Sequence, residues 1–146
     1  MIVTGFMLGI VVDTSVFIAA LRSRRGASYR LLEMTGDARW QMHISVALAL
    51  EYEAVGKREA DKLGIVPAAI DDIVDMLCET GRHHAIHFRL RPELSDPDDE
   101  FLLELAFISR CDLIVTHNVR HLRAAERFGI GVVTPGQFLR TIGVEP

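Results

Sequence analysis

The stretch LGIVVDTSVFIAAL, residues 8–21, decides the fold. Its first apolar run leads directly into Asp13, and the β-branched side chains in front of that acid predict a buried central strand over residues 9–13. Its second apolar run predicts a helix, with Thr14 or Ser15 available as the N-cap. Asp13 would then lie at the carboxyl end of a strand, where open α/β sheets bind their ligands. The alternative is that Asp13 only caps a turn, and other acids converging on it would decide between the two.

The composition describes an ordinary globular protein. A chain of 146 residues predicts one domain, residues 1–146, in which the lead-in 1–6 is dispensable if Met7 is the true start. With 49% hydrophobic and 25% charged residues, the chain is not expected to be disordered. The formal net charge of −4 does not favour a protein that coats nucleic acid.

The cysteines and the N-terminal segment indicate in which cellular compartment the protein is expected. Cys78 and Cys111 form no CxxC pair, which favours a reducing, cytoplasmic setting. The apolar segment before Asp13 lacks a basic start and a small-residue cleavage site, and it is too short to span a bilayer. We therefore expect neither a signal peptide nor a membrane partner.

Strands and helices alternate along the chain. This alternation predicts a three-layer α/β/α fold with a central, mostly parallel sheet and helices on both faces. After the first strand, further strands are predicted at 42–45, 85–88, 112–116 and 132–134. Helices are predicted at 16–21, 28–34, 46–57, 67–80, 99–110 and 135–142, with a basic helix following Asn118.

A second acid lies on the third predicted helix. Ser45 is a good N-cap for this helix, and Glu51 falls within its predicted apolar face. That face consists of Ala47, Leu48, Glu51, Ala54 and Val55. A Glu on a core face is rarely left unpaired. The alternative is a Glu at the margin of the face that reaches solvent or an arginine.

A third group of acids lies in SDPDDEFLLELAF, residues 95–107. Asp96 suits the N-cap of a helix and Pro97 its first position, so local helix chemistry alone could account for acids here. Residues 96–100 nevertheless contain four acids, which is more than a cap requires. Asp99 lies on or beside the inward face of this helix.

These acids are predicted to meet at the carboxyl ends of the strands, together with Asn118. Carboxylates that share a small pocket repel one another, and a hard divalent cation relieves this. Such a site, with oxygen ligands only, favours Mg²⁺ or Mn²⁺ and phosphodiester hydrolysis. Arginines around the rim could hold the flanking phosphates of RNA. These candidate contacts are Arg22, Arg24, Arg120 and Arg123.

Three histidines in the basic segment 82–91 raise the question of zinc. Their spacing is not that of a zinc finger, so a zinc site is not favoured. A surface that contacts phosphate and a plain solvated loop both remain open.

The order of VVDTS at 11–15, EYEAV at 51–55, DPDDEFLLELA at 96–106 and IVTHN at 114–118 resembles the PIN-domain nucleases. The resemblance is closer to the VapC kind of toxin in type II toxin–antitoxin pairs, and it extends from residue 8 to about 143. It implies that Asp13, Glu51 and Asp99 are the catalytic, metal-binding acids. It further implies that Ser15 supports Asp13, and that Thr116 positions a fourth ligand.

The resemblance implies a Mg²⁺- or Mn²⁺-dependent endoribonuclease that is restrained by an antitoxin protein and commonly forms a homodimer. One position departs from the family. Asn118 stands where many members carry Asp, and an amide coordinates metal without supplying negative charge. This weakens a second metal position and leaves open whether one or two ions bind. Asp96, one turn from Asp99, is predicted to compensate in part.

Three other readings of the sequence compete. A haloacid-dehalogenase-like phosphatase would carry a second Asp where this chain has Ser15. A response-regulator receiver would need a lysine after a late strand, and none follows Lys62. A PIN fold that has lost catalysis and binds RNA or protein is favoured by Asn118 alone.

Overall fold

The computed structural model of the protein describes residues 7–86 and 97–146, with the backbone alone at 97–99. The strands are β1 (Leu8–Val12), β2 (Trp40–Ile44), β3 (Arg82–His83), β4 (Leu113–Val115) and β5 (Gly131–Val133). The helices are α1 (Thr14–Arg22), α2 (Ala27–Glu33), α3 (Val46–Leu63), α4 (Pro67–Thr80), α5 (Pro97–Ile108), α6 (Val119–Leu122) and α7 (Pro135–Thr141). A 3₁₀ helix, Arg123–Phe128, follows α6 directly.

The five strands of the described ranges form one sheet in the order β3-β2-β1-β4-β5. Every pairing in it is parallel, so the prediction of a mostly parallel sheet is confirmed. From β1 the chain builds outward through β2 and β3, and it then returns to the other side of β1 to add β4 and β5. The direction of building therefore reverses between β1 and β4. The carboxyl ends of these two strands form the switch point, where open α/β sheets bind ligands.

The helices cover the sheet in two layers. Helices α1 to α4 are joined by mutual contacts, and α7 packs against α2. Helix α5 packs on β1 and β2 and contacts α6. The predicted three-layer α/β/α architecture is confirmed.

The centre of the sheet is apolar on both faces. Ile10, Val11 and Val12 are fully buried, as expected for a strand with helices above and below it. Beside β1, the ring of Phe17 stacks on that of Tyr52 with centroids 4.8 Å apart. The Tyr52 hydroxyl donates a hydrogen bond to the carbonyl oxygen of Val12. Val12, the residue before Asp13, is thus held in place by a buried side chain of the core.

Helix α3 begins where it was predicted to begin, but its buried face was predicted wrongly. The Ser45 hydroxyl accepts a hydrogen bond from the amide of Leu48 at 3.1 Å and caps the helix as predicted. Its buried residues follow a four-residue spacing: Leu48, Tyr52, Gly56 and Ala60. Ala47 and Ala54, predicted to be inward, are exposed. The prediction counted every alanine as a core residue, whereas the stacked Tyr52 and the close approach at Gly56 set the orientation of the helix.

Two other element predictions need correction. The third strand is Arg82–His83, because these two residues pair with β2. Ala85 and Ile86, which were predicted to be in this strand, lie outside it. The rest of predicted strand 85–88 lies outside the described residues. The basic helix predicted after Asn118 is the single turn α6 followed by the 3₁₀ helix.

No helix within residues 7–86 and 97–146 is both long and apolar enough to cross a membrane.

Candidate active site

The carboxylate of Asp13 lies at the switch point between β1 and β4. It is 7% exposed, and its Oδ2 accepts hydrogen bonds from Ser15 Oγ at 2.8 Å and from Thr116 Oγ1 at 2.7 Å. Among the described residues, no hydrogen bond reaches Oδ1. Two neutral donors therefore fix the orientation of this carboxylate and leave one oxygen to face a ligand.

The two hydroxyls that hold Asp13 are themselves held by the turn after β4. Ser15 Oγ accepts from the amide of His117 at 3.2 Å, and Thr116 Oγ1 accepts from the amide of Asn118 at 2.9 Å. Each hydroxyl accepts from a backbone N–H and donates to the carboxylate. Ser15 and Thr116 therefore connect the Asp13 carboxylate to the backbone of the turn after β4.

The backbone explains why Asp13 is buried here. Its amide donates to the carbonyl of Val115 at 2.9 Å, which extends the β1–β4 pairing by one residue before α1 begins. Asp13 itself occupies the N-cap position of α1, so the prediction that Thr14 or Ser15 would be the cap was wrong. Its side chain makes no cap hydrogen bond, and its Oδ2 accepts from Ser15 and Thr116.

Glu51 joins the site through Thr14, which the sequence analysis considered only as a helix cap. The hydroxyl of Thr14 donates to Glu51 Oε2, which connects the residue after Asp13 to α3. Helix α3 starts just beyond the carboxyl end of β2, and Glu51 is half-buried in its second turn. The phenol of Tyr52 lies close to both acids. Burial, with the negative charges of Asp13 and Glu51, raises its pKa well above the ordinary value.

The direction of α5 brings Asp99 to the same edge of the sheet. Ile108 at the end of α5 is followed within a few residues by the start of β4, so α5 runs antiparallel to the strands. Its first turn, which contains Asp99, therefore lies at the end of the sheet where β4 stops. The Asp99 side chain and the whole of Asp96 lie outside the described part of the protein.

Asn118 lies at the exposed margin of the site. It occupies the N-cap position of α6, but its side chain makes no cap hydrogen bond. Its backbone amide is tied to Thr116, which holds Asp13. A carboxamide in this position is available to solvent and to ligands.

The four candidate arginines are exposed, and they do not form one group. Arg22 lines a cavity together with Thr14 and Ser15. Arg24 lines a different cavity between α1, α2 and α4. Arg120 lies on α6, and Arg123 is 3.9 Å from a carboxylate oxygen of Glu126. Arg22 alone among them lines the cavity at Thr14 and Ser15.

Sequence reasoning missed the structural roles of Thr14 and His117 and the burial of Glu104. Thr14 was considered only as a cap. His117 was not recognised as a wall of the site, although its Nε2 is 2.8 Å from the buried Ser28 Oγ. Glu104 was not recognised as buried, yet it is 6% exposed within α5. The burial of Glu104 could have been predicted from the sequence, because this residue interrupts an otherwise apolar run at 102–106.

The oxygen ligands present are of the kind that hard divalent cations prefer. Asp13 has one oxygen without a hydrogen bond from the described residues, Glu51 is linked to the residue after it through Thr14, and Asn118 adds a carboxamide at the rim. Over residues 7–86 and 97–146, no three His, Cys, Asp or Glu side chains lie together as a metal-binding group. The predicted third carboxylate, that of Asp99, belongs to the part whose side chains are not described.

The chain is thus a parallel α/β/α sandwich with an oriented, buried carboxylate at its switch point. The family model described as PIN domain matches residues 9–120, and the chain belongs to this family. PIN domains are generally nucleases and typically use divalent metal ions. A comparison with curated proteins finds no match.

Proposed function

We propose that this PIN domain is a metal-dependent endoribonuclease that hydrolyses RNA phosphodiester bonds as the toxin of a toxin–antitoxin pair. The observation that carries the proposal is the geometry of Asp13. A 7%-exposed carboxylate at the switch point is fixed through Oδ2 by two hydroxyls, and its Oδ1 accepts no hydrogen bond from the residues that the structure describes. An acid that served only the fold would be expected to have both oxygens satisfied.

The proposed metal ligands are Asp13, Glu51 and Asp99, with Asn118 and Asp96 as further oxygen donors. Mg²⁺ or Mn²⁺ bound there would supply an activated water and stabilise charge on the phosphate oxygens. Ser15 and Thr116 bind Oδ2 of Asp13 and so fix the orientation of its carboxylate. Thr14 ties Glu51 to the same turn, so these acids are oriented before any ligand arrives.

The proposed substrate is RNA, and the basic residues at the rim are its phosphate contacts. Arg22 is the strongest candidate, because it lines a cavity that also includes Thr14 and Ser15. Arg24, Arg120 and Arg123 lie farther out, where they would contact a longer strand.

The toxin role, the cognate antitoxin and the homodimer rest on the likeness of the four sequence motifs to VapC-like toxins. If the proposal is right, expression of the protein stops cell growth and expression of Asp13→Asn does not. Co-expression of the protein encoded by the adjacent short reading frame would restore growth. Normal growth on expression of the active enzyme would remove the toxin role and leave the nuclease assignment intact.

The direct test is cleavage of RNA with Mn²⁺ or Mg²⁺ and with a chelator. Wild type is compared with Asp13→Asn, Asp99→Asn and the matched control Asp61→Asn, an exposed acid on α3. We expect the first two variants to lose at least about a hundredfold in rate. The control should keep the wild-type rate. Equal rates in all four proteins, or full activity in the chelator, would contradict the proposal.

A second candidate is a PIN fold that binds RNA or protein without cleaving. The observation that favours it is Asn118, which leaves the site without the carboxylate that would complete it. RNA binding without cleavage in Mn²⁺ would select this candidate over the nuclease.

A further inference from the structure

Two hydrogen bonds join helix α3 to the chain on either side of Asp13. Before Asp13, the carbonyl oxygen of Val12 accepts from the phenol of Tyr52. After Asp13, the hydroxyl of Thr14 donates to Oε2 of Glu51. Glu51 and Tyr52 are consecutive residues of α3. These two bonds, which we call the α3 links, therefore attach one short stretch of the helix to both neighbours of Asp13.

The link made by Tyr52 lies in the core. The side chain of Tyr52 is fully buried, and its ring stacks on that of Phe17, which is also fully buried. Because a close-packed interior leaves such a ring little freedom, the hydroxyl keeps one position relative to β1. The register of β1 with β2 ends at Ile10 and Met42, two residues before Val12. The phenol thus supplies a hydrogen bond to Val12 beyond the end of that pairing.

The hydroxyl of Tyr52 makes a contribution that its ring does not. A phenylalanine would fill the same space but would leave the Val12 carbonyl without this donor. The amide of Asp13, which donates to the carbonyl of Val115 at 2.9 Å, would still hold the segment to β4. The distance between the carboxylates of Asp13 and Glu51 would therefore be less closely fixed on the α3 side.

We propose that Tyr52 is a positioning residue of the Asp13 site: together with Thr14 it fixes the separation of the Asp13 and Glu51 carboxylates, and so supports the strict coordination geometry of Mg²⁺. The inference rests on the proposed function of these acids as metal ligands and adds what determines their spacing. Mg²⁺ requires near-ideal octahedral ligands at about 2.0–2.1 Å, whereas Ca²⁺ accepts variable arrangements at about 2.3–2.6 Å. A loosened pair of carboxylates therefore loses more affinity for Mg²⁺ than for Ca²⁺.

The test compares ion binding by Tyr52→Phe with that by wild type and two controls. Tyr29→Phe removes the other tyrosine hydroxyl of the chain, from a half-buried residue of α2 whose hydroxyl makes no hydrogen bond among the described residues. Ile130→Val truncates a buried side chain before β5, at the opposite end of the sheet, and controls for a general loss of stability. The dissociation constants of Mg²⁺ and Ca²⁺ are obtained from the rise of the unfolding midpoint with ion concentration.

We expect Tyr52→Phe to raise the Kd of Mg²⁺ about tenfold and the Kd of Ca²⁺ by less than about threefold. A general loss of stability lowers the unfolding midpoint without changing the ratio of the two constants, and this is the result expected for Ile130→Val. Tyr29→Phe should match wild type. Equal changes for both ions in Tyr52→Phe, or no change for either, would overturn the positioning role.

A second readout needs no ion. Hydrogen exchange of the Asp13 amide is followed by NMR in ion-free protein, relative to the amide of Ile114 in the centre of the sheet, so that global stability cancels. We expect this relative rate to be about tenfold higher in Tyr52→Phe than in wild type, because the segment is released locally. Ile130→Val should keep the wild-type ratio. The same ratio in Tyr52→Phe and wild type would also overturn the positioning role.

Failure of this inference and failure of the proposed function give different results. If wild type cleaves RNA and Tyr52→Phe binds both ions as wild type does, only the positioning role is wrong. If neither ion raises the unfolding midpoint of wild type but exchange at Asp13 responds to Tyr52→Phe, the metal-dependent function is wrong and the positioning of Asp13 by Tyr52 stands.

Discussion

At the scale of single residues, the site depends on two hydroxyls rather than on a counter-charge. No Lys or Arg among the described residues bonds the Asp13 carboxylate, and neutral donors from Ser15 and Thr116 take its Oδ2. An arginine partner would occupy the carboxylate and compete with a metal ion. Hydroxyls leave its negative charge available. This favours a ligand site over a structural ion pair.

The first prediction concerns Thr116, which is fully buried. Thr116→Val keeps the shape but removes a donor to Asp13 and the acceptor for the Asn118 amide. We expect the cleavage kcat to fall about 10–100-fold, as is usual when the partner of a metal ligand is lost. Thr116→Ser retains the hydroxyl and should recover most of the rate. Steady-state kinetics with both variants checks this, and an unchanged kcat in Thr116→Val would contradict it.

The second prediction concerns a histidine pair on β2 and beyond β3. His43 Nδ1 lies 2.7 Å from His84 Nε2. The pKa of His43 is lowered to about 4, chiefly by burial; the positive charges of His84 and Arg82 act in the same direction, and Asp112 opposes them. The pKa of His84 is also lowered, chiefly by burial. Folded His43 therefore stays neutral between about pH 6.5 and 4, whereas the unfolded chain takes up a proton there.

Because the unfolded state binds more protons in this interval, stability should fall as the pH drops from about 6.5 to about 4. His43→Gln should make the unfolding midpoint less dependent on pH across the interval. His121→Gln, an exposed residue of α6, is the matched control and should keep the wild-type dependence. Thermal unfolding at several pH values checks this. Identical curves for wild type and His43→Gln would count against it.

Individual residues show where sequence reasoning succeeds. Asp13 was identified because a carboxylate that ends a buried strand is costly without a partner. Ser15 and Thr116 were assigned through the family resemblance. Thr14 and His117 were missed as parts of the site because their partners, Glu51 and Ser28, lie far away in the sequence. Such contacts depend on how helices pack, and no local pattern encodes them.

At the scale of elements, α3 shows what a hydrophobic pattern can and cannot predict. Its start followed from the Ser45 cap, and its end is set at Gly64, which adopts the left-handed conformation with φ 69°. The prediction of the buried face was wrong because alanine occurs both in the core and at the surface. Gly56 is buried where α3 closely approaches Ile70 of α4 and Phe17 of α1. A pattern of apolar residues cannot reveal such a contact between helices.

The third prediction tests that contact. A Cβ at Gly56 would lie 2.8 Å from Ile70 Cγ2 and 3.2 Å from Phe17 Cε2, and both partners are buried. We expect Gly56→Ala to lower the free energy of unfolding by roughly 1–2 kcal/mol, because overpacking outweighs the gain in helix propensity.

The control is Gly136→Ala in α7, where a Cβ would meet only Arg140 Nη1 at 3.9 Å. It should be neutral or stabilising by up to about 1 kcal/mol. Urea denaturation measures both variants. A Gly56→Ala protein as stable as wild type would show that α3 and α4 can separate at little cost.

At the scale of the whole molecule, topology gathers residues that are distant in the sequence. Asp13 follows β1 and Thr116 follows β4. These two strands pair with each other, although 100 residues lie between Val12 and Leu113 in the sequence. Alternating strands and helices predicted the parallel sheet. The strand order was not predicted, because it depends on which edge of β1 each later strand joins. The convergence of Asp13 and Glu51 is a consequence of that order.

The last prediction uses stability to detect a metal ion without relying on activity. A ligand that binds only the folded state stabilises it, by about 2.7 kcal/mol at a concentration a hundredfold above its Kd. For a domain of this size we expect saturating Mn²⁺ to raise the unfolding midpoint by about 5–10 °C. Asp13→Asn should lose most of this shift. Asn118→Asp should increase the shift, because it restores a carboxylate at the rim of the site.

An absent shift in wild type, or the same shift in Asp13→Asn, would mean that Mn²⁺ is not held by these acids. An Asn118→Asp protein that behaves like wild type would show that position 118 does not contribute to Mn²⁺ binding, and Asp13 and Glu51 would remain the proposed ligands.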